Sequence, residues 1–323
     1  MTETVTLTAK LGIAPIAWTN DDLPQLGGDT SLETCLAESR LAGFLGVETG
    51  GKFPKTSAQL RAVLAAHELR LVSGWYSGTL LDADLETEKR QVFDQLTLFR
   101  ECGASVLVYG ETAGTIQNKQ NVPLSNRRVL TDHEIDAYGG KLTEFAQFCA
   151  DFGVPLAFHH HMGTAIENER DIDRFMAATG ESVGLLCDTG HLTFAGADIL
   201  RVLDNHGRRI NHVHAKDVRL AVLQTLDRNN ESFLDAVLKG IYTVPGDGMI
   251  DFNAVIRRLF QLGYTGWFVV EAEQDPLKAP PLEYARIGHR ALSAALALAG
   301  YQIESGHPGQ DPVGASHDSK SKL

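Results

Sequence analysis

The chain has 323 residues, with 41 acidic and 29 basic side chains and a formal net charge of -12 at pH 7. Nucleic acids and anionic membranes are bound mainly by clusters of Lys and Arg, and no basic run here is longer than Arg127-Arg128 or Arg257-Arg258. We therefore expect a protein that binds no nucleic acid and no membrane, with a hydrophobic content of 43%, ordinary for a globular domain.

Eight apolar runs alternate with helical patterns along the chain. The runs predicted as strands are residues 10–16, 45–48, 70–75, 106–109, 155–159, 184–188, 210–214 and 267–271. Uninterrupted apolar runs are typical of parallel strands covered on both faces, and their alternation with helices indicates a parallel sheet. The pattern predicts an α/β protein with a closed (β/α)8 TIM barrel, a fold of roughly 250 residues. A doubly wound open sheet is the alternative, but no G-x-G-x-x-G follows the first run.

Several helix boundaries are marked by capping residues. Thr30-Ser31-Leu32-Glu33 and Thr131-x-x-Glu134 have the spacing of a capping box, and Asp251 is expected to cap a helix that Gly263 ends. Between the fourth strand and the Thr131 helix, the long polar segment 111–126 is predicted to be a functional lid. Further helices are predicted at residues 58–66, 86–102, 171–178 and 197–203.

The cysteines and the end of the chain indicate the cellular setting. No C-x-x-C pair occurs among the four cysteines and no secretory signal is recognisable, so we expect buried free thiols and a cytoplasmic location. Residues 1–304 are predicted to form a single catalytic barrel domain, and residues 305–323, rich in Gly, Pro, Ser, Asp and Lys, a flexible tail. The terminal Ser321-Lys322-Leu323 would be a peroxisomal signal only in a eukaryote.

The last four strands of the predicted barrel each end in an imidazole or a carboxylate, at His159, Asp188, His214 and Glu271. The carboxyl ends of barrel strands meet on one face. Two nitrogen and two oxygen ligands suit Mn²⁺, Co²⁺, Zn²⁺ or Fe²⁺ better than Ca²⁺. Each residue taken alone is also consistent with a hydrogen-bonded core histidine or a helix-capping carboxylate. Four matching strand ends favour a divalent-metal site.

Neighbouring residues supply further candidates. Because residues two apart on a strand share a face, His161 is expected to point with His159, whereas His160 faces outward or packs structurally. Metal-bound imidazoles usually donate their second N–H to an acceptor, and Asp217 or Glu273 is the expected acceptor here.

Longer motifs resemble a known family. The stretches that are similar to the xylose-isomerase-like TIM-barrel superfamily are residues 187–191, 213–217, 245–252 and 270–275. The stretches that resemble, within it, the inosose dehydratases of myo-inositol catabolism are residues 12–24, 47–50 and 157–164. The similarity spans residues 10–300, and Asp188, His214 and Glu271 match the superfamily's ligand positions directly. Superfamily isomerases and epimerases usually carry Glu where this chain has His159, so His161 is the alternative ligand.

The resemblance implies a hydro-lyase that removes water from 2-keto-myo-inositol (inosose) to give a trihydroxycyclohexane-1,2-dione. It also implies Mn²⁺ or Co²⁺ as cofactor, with glutathione as a further requirement in some members. The expected partner is a small cyclic polyol ketone, and self-association into a homo-oligomer is left open.

Positions near the ligands suggest catalytic roles. Lys216 is expected to be the base, because a lysine beside a divalent cation should have a depressed pKa. His191 is expected to protonate the leaving group, and Glu273 is a third catalytic candidate. Trp18 and Trp75, near the ends of the first and third strands, could equally be core aromatics. The residues predicted to contact the substrate are Trp18, Glu48, Trp75 and His161.

Three other functions are alternatives to the dehydratase. A metal-dependent keto-sugar isomerase or epimerase begins with the same removal of a proton next to a carbonyl. An abasic-DNA endonuclease of the superfamily would need three zinc ions and a basic groove, which the net charge disfavours. A non-catalytic sugar-binding barrel would not need a complete ligand set.

Overall fold

The computed structural model describes residues 6–305. All but the first residue of the predicted tail, including its terminal tripeptide, lies outside this range. The strands are β1 Thr8–Ile13, β2 Gly46–Thr49, β3 Arg70–Gly78, β4 Leu107–Glu111, β5 Leu156–Phe158, β6 Gly184–Asp188, β7 Ile210–Ala215, β8 Asp217–Val218, β9 Tyr242–Thr243, β10 Gly266–Val270 and β11 Gln302–Ile303. The helices are α1 Leu32–Leu41, α2 Ser57–Ala66, α3 Leu85–Cys102, α4 Asp132–Asp151, α5 Glu169–Ala178, α6 Thr189–Phe194, α7 Ile199–His206, α8 Leu220–Leu223, α9 Phe233–Leu238, α10 Phe252–Gln261 and α11 Pro281–Ala299. Short 3-10 turns occupy Pro15–Ala17, Leu124–Asn126 and Gly207–Arg209.

Strands β1 to β7 and β10 form a closed parallel barrel. Each pairs with its neighbour in order, and β1 closes the ring by pairing with both β2 and β10. The short β11 adds a further parallel pairing to β1. The predicted eight-stranded barrel is confirmed.

Alternation along the strands separates two apolar layers. Phe158 of β5 points outward and meets Phe175 of α5, with ring centroids 4.2 Å apart. Tyr109 of β4 packs on Phe145 of α4 in the same layer, at 5.6 Å. Fully burying one such side chain stabilises the fold by roughly 1.5–3 kcal/mol. A smaller group fills the barrel interior and includes Val106, Val108, Ala157 and Leu186.

The helix boundaries test the capping predictions. Thr131 and Glu134 form the expected capping box at α4. Asp251 caps α10, and Gly263 follows that helix with φ 76°, as predicted. The capping box predicted at Thr30 is wrong, because Ser31 is the N-cap of α1 and accepts a hydrogen bond from the Thr34 amide.

The sequence prediction omitted α11 and the excursion from β8 to β9 between the last two barrel strands. The excursion covers the carboxyl end of the barrel with a separate apolar cluster that includes Phe233 and Tyr242. The segment predicted as a lid is tied to this cover, since the Leu124 amide donates to the Glu231 carbonyl at 2.9 Å. Residues 6–305 contain no helix long and apolar enough to span a bilayer.

The four cysteines lie within the described residues and are free. Three are buried and Cys102 is half-buried, as expected. Burial raises the pKa of the Cys187 thiol to about 12, so a thiol rather than a thiolate lies next to Asp188.

Candidate metal centre

A cavity of about 650 Å³ opens at the carboxyl ends of the barrel strands. Its lining includes seven of the side chains predicted from the sequence, namely Glu48, Trp75, His159, His161, His214, Glu271 and Glu273.

Strand alternation explains why four ligand-type side chains converge here. His159, Asp188, His214 and Glu271 each follow a residue that packs in the layer between barrel and helices, and these residues are Phe158, Cys187, Val213 and Val270. The next side chain along each strand therefore points into the barrel. One ligand atom from each of the four lies within 4.8 Å of the others, and all four residues are buried.

Two atoms at the centre of this cluster have no hydrogen-bond partner within the described residues. They are Asp188 Oδ2 and His214 Nδ1. Asp188 Oδ2 lies 3.4 Å from His159 Nε2 and 3.5 Å from His214 Nδ1, and Glu271 Oε2 also contacts His214 Nδ1. A buried polar atom that makes no hydrogen bond destabilises the folded protein, because its interaction with water is lost and not replaced. Two imidazole nitrogens and two carboxylates aimed at one point fit a divalent transition metal.

The hydrogen bonds of His159 fix which ring nitrogen faces the cluster. Its Nδ1 donates to the His160 carbonyl at 2.7 Å, which leaves the lone pair of Nε2 directed at Asp188. His161 lies apart from these ligands, grouped with His191 and Glu273. The structure thus places His159 rather than His161 beside the other three predicted ligands.

Glu48 is the acceptor that orients His214. Its Oε1 accepts from His214 Nε2 at 3.1 Å, from His212 Nε2 at 2.9 Å and from the Ser73 hydroxyl. Although burial opposes it, the imidazoles of His214 and His212 hold the pKa of Glu48 well below its ordinary value. The prediction that Asp217 or Glu273 plays this part needs correction.

Asp217 instead fixes a loop. Its carboxylate accepts hydrogen bonds from the amides of Val218, Gly246, Gly248 and Ile250. A Cβ at Gly248 would lie 2.2 Å from Asp217 Oδ1, which explains the glycine in this part of the motif.

Lys216 lies behind the cavity wall, among three carboxylates. Its Nζ is 2.6 Å from Glu271 Oε1, 3.1 Å from Glu273 Oε1 and 3.6 Å from Asp188 Oδ2. Burial would lower the pKa of Lys216, but the attraction of the three carboxylates is larger and raises it above its ordinary value. These carboxylates favour the ammonium, which donates protons and does not accept them; the depressed pKa expected beside a bound divalent cation stays a prediction.

His191 is also buried behind the cavity wall. Its Nε2 is 3.0 Å from Lys216 Nζ, and its Nδ1 contacts the Tyr242 hydroxyl at 2.9 Å. Burial lowers the pKa of His191 well below its ordinary value, so the ring is neutral. Of the three predicted catalytic residues, only Glu273 lines the cavity. Burial raises the pKa of Glu273 to about 7.

The two tryptophans have different surroundings. Trp75 lines the cavity, and its ring centroid lies 5.5 Å from that of His159. Trp18 is only 1% exposed and its indole N–H donates to Glu38 at 2.6 Å, so the prediction that it contacts substrate is corrected. His160 does not face solvent, being fully buried.

Gln117 is among the cavity residues that the sequence reasoning missed. Gln117 lies in the polar segment after β4, is buried against the cavity, and its Oε1 has no hydrogen-bond partner in the part of the chain described. The length and polarity of this segment indicate a functional loop, but they do not distinguish Gln117 from its polar neighbours.

A closed parallel barrel with a His, Asp, His and Glu cluster at its carboxyl end defines a (β/α)8 protein of the divalent-metal-binding class. Residues 36–295 match the family model described as xylose isomerase-like TIM barrel, and the chain belongs to this family.

Named relatives support the same assignment. The chain is 49% identical over 299 residues to the rhizopine catabolism protein MocC of Rhizobium meliloti, covering 93% of this chain and 92% of that protein. It is 45% identical to an inosose dehydratase of Geobacillus thermodenitrificans, covering 85% and 93%.

Solved structures share the fold. An L-ribulose 3-epimerase matches with a TM-score of 0.64 at 18% identity, covering 90% of this chain and 96% of that chain. The IOLI protein with a bound zinc atom matches with a TM-score of 0.63 at 16% identity, covering 89% and 98%.

Proposed function

We propose that this protein is a metal-dependent hydro-lyase that converts inosose into a trihydroxycyclohexane-1,2-dione. Relatives 42–45% identical over most of the chain carry the name inosose dehydratase. The observation that carries the proposal is the cluster of four buried ligand-type side chains beside the cavity, in which Asp188 Oδ2 and His214 Nδ1 make no hydrogen bond within residues 6–305. The cavity volume of about 650 Å³ lies in the range of roughly 300–1,000 Å³ typical of small-molecule sites.

The proposed ligands of the divalent ion, Mn²⁺ or Co²⁺, are His159, Asp188, His214 and Glu271. A cation held there would act as a Lewis acid towards a ketone and make the neighbouring C–H more acidic. Glu48 accepts the proton on Nε2 of His214, which leaves Nδ1 facing the other three proposed ligands. Although burial opposes it, the carboxylates of Glu271 and Glu48 raise the pKa of His214 well above its ordinary value, so a cation bound at Nδ1 would displace a proton.

Glu273 is the proposed catalytic acid–base. Dehydration next to a ketone requires a base that takes the α proton and an acid that protonates the departing hydroxyl, and one carboxyl group can do both in turn. Glu273 lines the cavity two residues after Glu271, on the same face of the chain. Lys216 and His191 do not reach the cavity, so they act through Glu273, with the Lys216 ammonium held 3.1 Å from its Oε1.

The remaining lining suits a cyclic polyol. The Trp75 ring provides an apolar wall for the C–H face of the substrate, and Gln117 offers a free amide oxygen to a hydroxyl. The cover formed by the β8–β9 excursion shields this end of the barrel from water. Glu48 and His161 also line the cavity and complete the proposed substrate contacts.

Incubation with inosose and Mn²⁺ or Co²⁺, followed by ultraviolet absorbance, tests the proposal. Dehydration creates a conjugated enol-dione chromophore that isomerisation or epimerisation does not create. We expect absorbance to grow with metal and not in a chelated control. A metal-dependent product without the chromophore would favour the isomerase. A glutathione requirement, self-association and a cytoplasmic location remain predictions.

A further inference from the structure

Lys216 Nζ occupies a position that has the surroundings of a metal ion. His191 Nε2 lies 3.0 Å away, Glu273 Oε1 3.1 Å and Glu271 Oε1 2.6 Å. Asp188 Oδ2 follows at 3.6 Å. His191 and Glu273 also form, with His161, a second group of ligand-type atoms that lie within 4.8 Å of one another.

Glu271 links this position to the proposed metal site. Its Oε2 contacts His214 Nδ1, on the metal side, while its Oε1 contacts the lysine ammonium. Asp188 Oδ2 likewise lies near His159, His214 and Lys216. Carboxylates shared between two adjacent cations are the arrangement of two-metal enzymes, whose ions lie about 3.5–4 Å apart.

The fold holds the lysine side chain rigidly in this place. Gly190 leaves room for its stem, because a Cβ there would lie 2.5 Å from Lys216 Cγ and 2.6 Å from Cδ. The Thr189 hydroxyl accepts a hydrogen bond from the Lys216 amide at 3.0 Å and donates one to the Lys216 carbonyl at 2.7 Å. The Tyr242 ring lies 4.6 Å from Nζ, and the lysine is fully buried.

We propose that His191, Glu273 and the shared carboxylate Glu271 form a second cation site whose permanent occupant is the ammonium of Lys216. The proposal goes beyond the dehydratase assignment and shares with it the neighbouring metal site and Glu273, but its test measures bound metal and not activity. The barrel therefore takes one exchangeable ion, and a chelator removes one cation while the second stays attached to the chain. A lysine ammonium is a compact point charge, so it can replace an ion without supplying a coordination shell.

Replacing Lys216 with alanine tests the inference, because it removes the charge and leaves its space empty. Wild-type protein, Lys216→Ala and Lys216→Met are each loaded with excess Mn²⁺, freed of unbound ion and assayed by elemental analysis and electron paramagnetic resonance. We expect about one ion per chain in the wild type and about two in Lys216→Ala, with the broadened spectrum of a coupled pair. Lys216→Met, which fills the space without a charge, should hold about one.

Further variants distinguish the possible outcomes. Adding Glu273→Gln to Lys216→Ala should return the content to about one ion. One ion in both the wild type and Lys216→Ala would overturn this inference and leave the first metal site standing. A wild type without bound metal would overturn both. If Lys216→Ala does not fold, Lys216→Ser carries the same expectation. A second class of Mn²⁺ site in titrations of the wild type would by itself refute the inference.

Discussion

Glu48 should control the affinity of the metal site without touching the metal. In Glu48→Gln the charged acceptor of His214 Nε2 becomes a neutral amide of the same size, and the partners His212 and Ser73 compete for its single oxygen. Hydrogen bonds to charged groups contribute about 1.5–3 kcal/mol, and loss of such an outer partner typically weakens metal binding about 10- to 100-fold. We therefore expect Mn²⁺ affinity to fall about 10- to 100-fold, which corresponds to about 1.4–2.7 kcal/mol.

Competition between the protein and a fluorescent chelator for Mn²⁺ measures this effect. The matched control is Asp22→Asn, which neutralises another cavity-lining carboxylate that makes no contact with His214. Its Mn²⁺ affinity should change less than about threefold, since screened charges at a distance contribute little. An unchanged affinity in Glu48→Gln, or an equal loss in both variants, would refute the view that this hydrogen bond sets the ligand's protonation and orientation.

Three further substitutions address stability and substrate binding. Burial raises the pKa of Glu111 to about 7, so its stabilising contribution is complete below the unfolded pKa of about 4.5 and is lost as the pH rises through about 7. Between pH 4.5 and 7.5 the free energy of unfolding, measured with urea, should therefore fall in the wild type by up to about 3 kcal/mol more than in Glu111→Gln. An equal fall in the two proteins would contradict the raised pKa of Glu111. Gly190→Ala should lower the free energy of unfolding by about 1–3 kcal/mol, because the added methyl group overpacks against Lys216. The control Gly140→Ala, which has open space in α4, should raise it by about 0.5–1 kcal/mol. Equal denaturation midpoints would disprove the steric argument. Gln117→Leu should raise KM for inosose about 2- to 10-fold with metal content unchanged, since one lost hydrogen bond weakens binding by about 0.5–1.5 kcal/mol. An unaltered KM would remove Gln117 from the substrate site.

The ligand positions could be predicted because they follow from local rules. A buried strand alternates its faces, so the residue after each outward-facing apolar side chain had to point into the barrel. The order of strands and helices then placed His159, Asp188, His214 and Glu271 at one end. Neither step needs knowledge of contacts between distant parts of the chain.

The errors concern contacts that only closure of the barrel creates. Glu48 and His214 are separated by 166 residues, and nothing near either one indicates their hydrogen bond. The prediction for Lys216 considered one neighbouring cation and none of the three carboxylates that surround the amine. The 3-10 turn Pro15–Ala17 redirects the chain after β1, so that Trp18 faces Glu38 and not the cavity.

A crystal of the protein grown with Mn²⁺ and measured at the manganese absorption edge tests the central claim most directly. The account predicts one anomalous peak, bonded to His159 Nε2, Asp188 Oδ2, His214 Nδ1 and Glu271 Oε2, with Lys216 Nζ still between Glu271 and Glu273. No peak among these four side chains, or a peak held by His161 in place of His159, would contradict it.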